Sequence, residues 1–146
     1  GQGSNDISQA LPVQILNTPN IAGTVTANTN ETTPFTPSDY ALSSAASTNA
    51  ASIKATAGNV YGISLTNYGA STAYYKLYNK ASAPTVGTDI PVATIAMPAN
   101  SDKFVEYGKY GLRFTTGIAS AITGAQAIAD TTAVTANQVA VKMAWS

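Results

Sequence analysis

Cysteine and histidine are both absent from this sequence of 146 residues. Without cysteine, the chain forms no disulfide bond and offers no thiolate as a nucleophile or metal ligand. Without histidine, it lacks the side chain that most often transfers protons near neutral pH and most often binds transition metals. The sequence therefore predicts a protein that is not an enzyme, with no catalytic residue, no cofactor and no metal site.

Charged residues are also scarce, at 10% of the chain, and seven basic residues balance seven acidic ones. Typical soluble domains carry about 25% charged residues. Nucleic-acid binding requires clustered cations and a membrane span requires roughly eighteen apolar residues, so we expect neither a nucleic-acid partner nor a membrane partner. A surface with so little net charge does not repel copies of itself, which is typical of a subunit in a crowded assembly.

The acidic residues form no pattern that indicates acid–base chemistry. Asp102 and Glu106 are close in sequence, but on a strand an offset of four residues separates them by about 13 Å. This separation is too large for a direct acid–base pair. Asp89 and Asp130, each next to a threonine, could supply oxygen ligands to calcium. Such residues more often cap turns through hydrogen bonds to the backbone, and we prefer that interpretation.

From about residue 50 onward, short apolar runs with a period of two are separated by turn residues. Ile63 and Leu65, for example, alternate with Ser64 and Thr66, as in a half-buried strand. Many short strands at close spacing indicate an all-β domain over 50–146, an antiparallel β-sandwich of jelly-roll type. The predicted strands are 52–57, 60–66, 73–78, 91–97, 103–107, 112–115, 118–123 and 138–145.

The first 49 residues differ in composition from residues 50–146 and form the other part of the predicted organisation. Two short apolar runs, 10–16 and 21–27, precede a polar tract over 28–49 that is rich in Thr, Asn, Ser and Ala. This tract predicts either a solvated linker or an extended arm that contacts a neighbour. The runs before it alternate as strands do, and they pair either with this sandwich or with an edge on another subunit. The candidate interface residues in this part are Ile7, Leu11 and Val13.

Alternation also predicts which side chains fill the core. On the predicted strand 73–78, Tyr74, Lys76 and Tyr78 share one face, and Tyr75 and Leu77 share the other. We interpret the second face as core and the first as an interface that presents tyrosine hydroxyls; stacking of a sugar or a single-stranded nucleic acid is the alternative. The predicted core comprises Val60, Ile63, Leu65, Leu77, Ile95, Phe104, Leu112, Phe114, Ile118, Ile122, Val139, Val141 and Trp145.

The order of turn signatures from residue 59 to 146 resembles a widespread group of small phage structural proteins. The resemblance is carried by VYGIS at 60–64, YKLYNKA at 75–81, VGTDIP at 86–91, MPANS at 97–101, GLRF at 111–114, AITG at 121–124 and DTT at 130–132. Phage proteins that look like this are β-sandwich components of heads or tails and share no catalytic residues.

The resemblance implies a virion structural protein, and two functions fit it. The leading expectation is a decoration or cement protein on the capsid surface, which binds the major capsid protein and copies of itself as a homotrimer. The first 49 residues are expected to make much of this contact. The alternatives are a tail or fibre module that binds a host receptor or glycan, and, for assembly, a monomer with the first 49 residues folded back on it.

Overall fold

A computed structural model describes residues 36–146, which form nine β-strands and no helix. The strands make two antiparallel sheets that pack together as a β-sandwich, which confirms the predicted fold class. No helix that could span a bilayer occurs in this part of the chain. The strands are β1 (Ser38–Ser43), β2 (Ala51–Lys54), β3 (Gly58–Asn67), β4 (Ala73–Asn79), β5 (Ala93–Met97), β6 (Ser101–Glu106), β7 (Leu112–Phe114), β8 (Ile118–Thr123) and β9 (Val139–Trp145).

The two sheets are built from strands that are distant in sequence. Sheet A has five strands in the order β1-β9-β3-β6, and β7 pairs with another part of β3. Sheet B has four strands in the order β2-β8-β4-β5. Every strand pair is antiparallel. The jelly-roll connectivity stays a prediction.

Strand β3 shows how the sequence produces the two faces of sheet A. Val60, Ile63 and Leu65 are fully buried, whereas Ser64 is exposed. The register against β9 shifts between Val60 and Gly62. This β-bulge keeps Val60 and Ile63 on the core side although they are three residues apart. Each strand predicted from alternation is present, with ends that move by three residues or fewer.

One strand lies inside the tract in which a linker or arm was predicted. Within the tract 28–49, Ser38–Ser43 form β1 and pair with β9 along their length, so this part is a strand of the sandwich. Tyr40 and Leu42 pack against the core and hold this edge strand in place. Alternation with a period of two is present in Ser38–Ser43, but the small residues beside Tyr40 and Leu42 make it weak. Residues 28–35 of the tract lie outside the described part of the chain.

The core between the sheets contains most of the predicted residues. Leu112 and Trp145 are half-buried and pack against it. Tyr75, Met97 and Met143 are buried as well, and Tyr75 occupies the face of β4 that was predicted to be core. The predicted residues that are buried are Val60, Ile63, Leu65, Leu77, Ile95, Phe114, Ile118, Ile122, Val139 and Val141.

Phe104 is the exception, because the residue is 67% exposed. In the register of β3 with β6, Phe104 lies opposite Ser64 and Val105 lies opposite Ile63. Val105 therefore packs against the core and Phe104 points away from it. The prediction is wrong by one residue in phase. A slip of one residue exchanges the two faces of a strand, so an assignment of this kind fails easily.

Candidate functional site

Within residues 36–146, no segment covers the outer face of sheet A across four strands, β1, β9, β3 and β6. Strand register arranges its side chains in rows of four that cross the sheet, and most of them are small. Because neighbouring strands lie about 4.8 Å apart, each row spans roughly 14 Å. We call these residues the sheet A face. The first row is Asp39, Ala144, Gly62 and Glu106, the second is Ala41, Lys142, Ser64 and Phe104, and the third is Ser43, Ala140, Thr66 and Asp102.

Phe104 is the large apolar side chain on this face. Its ring lies against the next row, since a methyl group built on Gly62 would be 3.4 Å from Phe104 Cζ. A shallow depression of about 230 Å³ opens beside the ring. Its lining comprises Asp39, Gly62, Ser64, Phe104, Lys142, Met143 and Ala144. An exposed aromatic ring beside small residues offers a partner a large apolar contact with little side-chain ordering.

Four charged side chains belong to the sheet A face, and three of them are acidic. Asp39, Asp102 and Glu106 lie on the outer strands of the face, and Lys142 lies on β9 between them. None of the four forms an ion pair with another residue of 36–146. Asp102 and Glu106 share one side of β6 at an offset of four residues, about 13 Å. Within 36–146, no group of three or more acidic residues could hold a metal ion.

The face of β4 that was predicted to be an interface is covered by the chain itself. Lys76 and Tyr78 are 0% and 1% exposed, and Tyr74 is half-buried. This corrects the expectation that tyrosine hydroxyls are presented there on an open surface. Two segments, residues 80–92 and 124–132, fold over the outer face of sheet B; we call them the loop layer. The other candidate interface residues, Ile7, Leu11 and Val13, lie outside the described part of the chain.

A buried lysine fixes the loop layer to sheet B. Lys76 Nζ donates a hydrogen bond to the Ala127 carbonyl oxygen at 2.7 Å. Burial lowers the pKa of Lys76, and the negative charge of Asp130 partly offsets that effect. The lysine therefore supplies both a donor for a loop carbonyl and a countercharge for a loop carboxylate.

The two segments of the loop layer also contact the sheet and each other. Val86 packs against the cluster that Tyr78, Ala119 and Ala121 form on the outer face of sheet B. Gly87 has a φ of +93°, and a methyl group built there would be 2.7 Å from Thr131 Cγ2. A larger residue at this position would be strained and would push the segments apart.

Asp89 and Asp130 hold the turns of the loop layer, which confirms their predicted role as caps. Asp89 accepts a hydrogen bond from the Thr85 amide at 2.6 Å and forms an ion pair with Lys80. Asp130 accepts bonds from the Thr132 hydroxyl at 2.7 Å and from its amide at 3.2 Å. The bond from Lys80 lowers the pKa of Asp89, and the bond from Thr132 lowers the pKa of Asp130.

The outer surface of the loop layer carries exposed apolar side chains. Ile90 is 74% exposed, Val92 is 53% exposed and Ile128 is 47% exposed. Alternation did not predict these exposed residues, and Val92 lay inside the predicted strand 91–97. Pro91 was the available signal: proline cannot donate to a ladder, so the residues beside it are poor candidates for a central strand.

Comparisons with protein-family models, with curated proteins and with solved structures give no match to this chain. The functional interpretation therefore depends on the residues and surfaces of the chain itself. Two surfaces stand out within residues 36–146, the sheet A face around Phe104 and the loop layer over sheet B.

Proposed function

We propose that this chain is a non-enzymatic structural protein of a bacteriophage virion, a decoration protein that binds neighbouring major capsid subunits on the outside of the head. The sheet A face is the surface that binds the capsid. Phe104, which is 67% exposed among small side chains, carries this proposal. Covering its ring removes apolar surface from water, which is the main favourable term in protein association.

The shape of the sheet A face suits contact with a flat protein surface. Gly62, Ala140 and Ala144 leave little relief, so a partner can approach the backbone closely. Side chains without rotamers lose no conformational entropy on contact. The carboxylates lie at the ends of the rows, on the outer strands of the face, and two of them, Asp102 and Glu106, flank Phe104 on β6.

Composition and resemblance support the same proposal. The formal net charge of +0 removes long-range repulsion between crowded copies. The segments that resemble phage structural proteins lie between residues 60 and 132 of the sandwich. Assembly as a homotrimer, and contact with the particle through the first 49 residues, belong to this proposal as further expectations.

Heads from a phage that lacks the gene for this chain provide the test, with the full-length purified chain as the ligand. Phe104→Ser should weaken binding to these heads at least tenfold, because it removes the apolar anchor. Tyr110→Ser is the matched control, since Tyr110 is 80% exposed but lies in the turn between β6 and β7 and is not one of the residues of the sheet A face. Unchanged binding by Phe104→Ser would contradict the proposal.

A tail or fibre module that binds a host glycan is the second candidate, and the depression beside Phe104 favours it. The aromatic ring offers a stacking surface for a sugar, and Asp39 and Lys142 offer an acceptor and a donor for its hydroxyls. A cryo-EM map of the virion distinguishes the two functions. Many copies on the head shell support decoration, whereas a few copies at the tail support glycan binding.

A further inference from the structure

We infer that the loop layer is the surface through which this chain binds a second copy of itself. The inference rests on the proposed function, because it assigns the contact between copies in the decoration protein to one surface. The sheet A face stays free for the capsid, since the two sheets pack together and their outer sides point in opposite directions.

The exposed apolar residues of the loop layer belong to neighbouring parts of one surface. Ile128 follows Ala127, whose carbonyl is bonded to Lys76. Val92 donates its amide to the Leu77 carbonyl at 2.7 Å, which places it beside the end of β4. The two segments also touch directly, since a methyl group built on Gly87 would be 2.7 Å from Thr131 Cγ2. Ile90 and Ile128, both exposed, each lie three residues from that point of contact.

The charge distribution of the loop layer favours a second copy of the chain as its binding partner. The loop layer and the four strands of sheet B contain three cations and two anions, because β2 ends at Lys54. Lys54 Nζ lies 5.6 Å from the centroid of the Trp145 ring. Lys80 forms an ion pair with Asp89, and Lys76 interacts with Asp130. Each of these charges has an interaction partner within the chain, so two copies meet there with little uncompensated like charge.

The sheet A face has the opposite property. It carries three carboxylates and one amine, so each copy would bring a surplus of negative charge to a contact between identical faces. Like charges at an interface suppress association. A self-contact is therefore favoured at the loop layer, and a different partner is favoured at the sheet A face.

The loop layer is also ordered before any partner binds. Asp89 and Asp130 cap its turns, and Lys76 ties it to the sheet. Association is weakened by the conformational entropy that loops lose when they become ordered, and that loss is small here. An apolar surface on a fixed support is what a stable contact between copies requires.

Sedimentation equilibrium of the full-length chain tests this inference. The wild type should form an oligomer, and the double variant Ile90→Asp/Ile128→Asp should weaken self-association by roughly thirtyfold or more, the effect of losing an interface hot spot. Phe104→Asp is the control and should leave self-association unchanged. Circular dichroism verifies that each variant keeps its β-structure.

Cysteine labelling gives a second measurement that does not depend on a disruptive charge. The sequence has no cysteine, so Ile128→Cys and Phe104→Cys each introduce a single thiol. Reaction with a maleimide should slow as protein concentration rises for Ile128→Cys, and should not change for Phe104→Cys.

The possible failures are distinguishable. A wild type that is monomeric at all concentrations, or a loop-layer double variant that associates normally, overturns the inference. If Phe104→Asp binds heads normally while the double variant dissociates, the proposed capsid contact is wrong and the inference about the loop layer stands.

Discussion

Two phenylalanines provide a controlled test of the two faces of sheet A, because one is exposed and the other is buried. Phe104 is 67% exposed and Phe114 is 0% exposed. Replacing a buried phenylalanine by alanine leaves a cavity and typically costs about 3–5 kcal/mol. Full burial of a phenylalanine contributes about 1.5–3 kcal/mol, so a ring that is one-third buried contributes roughly 0.5–1 kcal/mol. Phe114→Ala should therefore destabilise the chain by at least about 2 kcal/mol more than Phe104→Ala.

Urea unfolding followed by circular dichroism measures this difference. For a small domain with a slope of about 1–3 kcal/mol per molar, the midpoints of the two variants should differ by roughly 1–2 M. The slope itself should match the wild type in both variants, because neither substitution alters the extent of the surface exposed on unfolding. Phe104→Ala should lose binding to phage heads although it keeps most of its stability.

Equal destabilisation by the two substitutions would refute this reasoning. It would mean that β6 has the opposite phase, with Phe104 in the core and Val105 outside. The capsid contact proposed for the sheet A face would then lose the residue that carries it.

Three further predictions concern the loop layer and the depression. The pKa values of Asp89 and Asp130 lie below their ordinary value of 3.8. These two carboxylates therefore stabilise the fold above that pH, and the stabilisation is lost as the pH falls below it. Hydrogen exchange of the loop-layer amides, measured by NMR, should show this loss. Lys76→Met should destabilise the chain by about 1–3 kcal/mol by leaving a loop carbonyl unpaired, whereas Lys103→Met, which removes an exposed bond of 3.3 Å to a backbone carbonyl, should change stability by less than about 0.5 kcal/mol in urea unfolding. Gly62→Ala fits in ordinary contact with its neighbours and should stabilise the strand by roughly 0.5–1 kcal/mol while weakening head binding, because it fills the floor of the depression.

The strands were predictable from sequence because alternation and turn residues are local signals. The run 118–123 was predicted with the bounds that β8 has, since glycines at 117 and 124 delimit it. The start of β5 was placed two residues early, because Ile90, Pro91 and Val92 resemble a strand in composition. Proline at the centre of that run prevents the ladder from continuing, and the chain forms a loop there instead.

The faces were harder to predict than the strands. Alternation predicts which residues share a face of a strand, but it does not predict what covers that face. Lys76 and Tyr78 were placed correctly on one face of β4, and only the three-dimensional path of residues 80–92 and 124–132 buries them. The sequence of β8 did indicate that both faces of sheet B are covered, and all six residues of this strand are buried. Ala119 and Ala121 provide an apolar second face there, which indicates a strand covered on both sides.

The distribution of charge links the two surfaces. Most of the uncompensated charge on the faces of the sandwich lies on sheet A, whereas the charges of the loop layer are satisfied within the chain. If copies associate through the loop layer, every sheet A face points outward from the contact and carries its surplus of carboxylates to the surface of the oligomer. That surplus opposes further stacking of oligomers on one another, since like charges would meet. A chain with a formal net charge of +0 can in this way form a closed assembly and still present a face that a partner with complementary charge can bind.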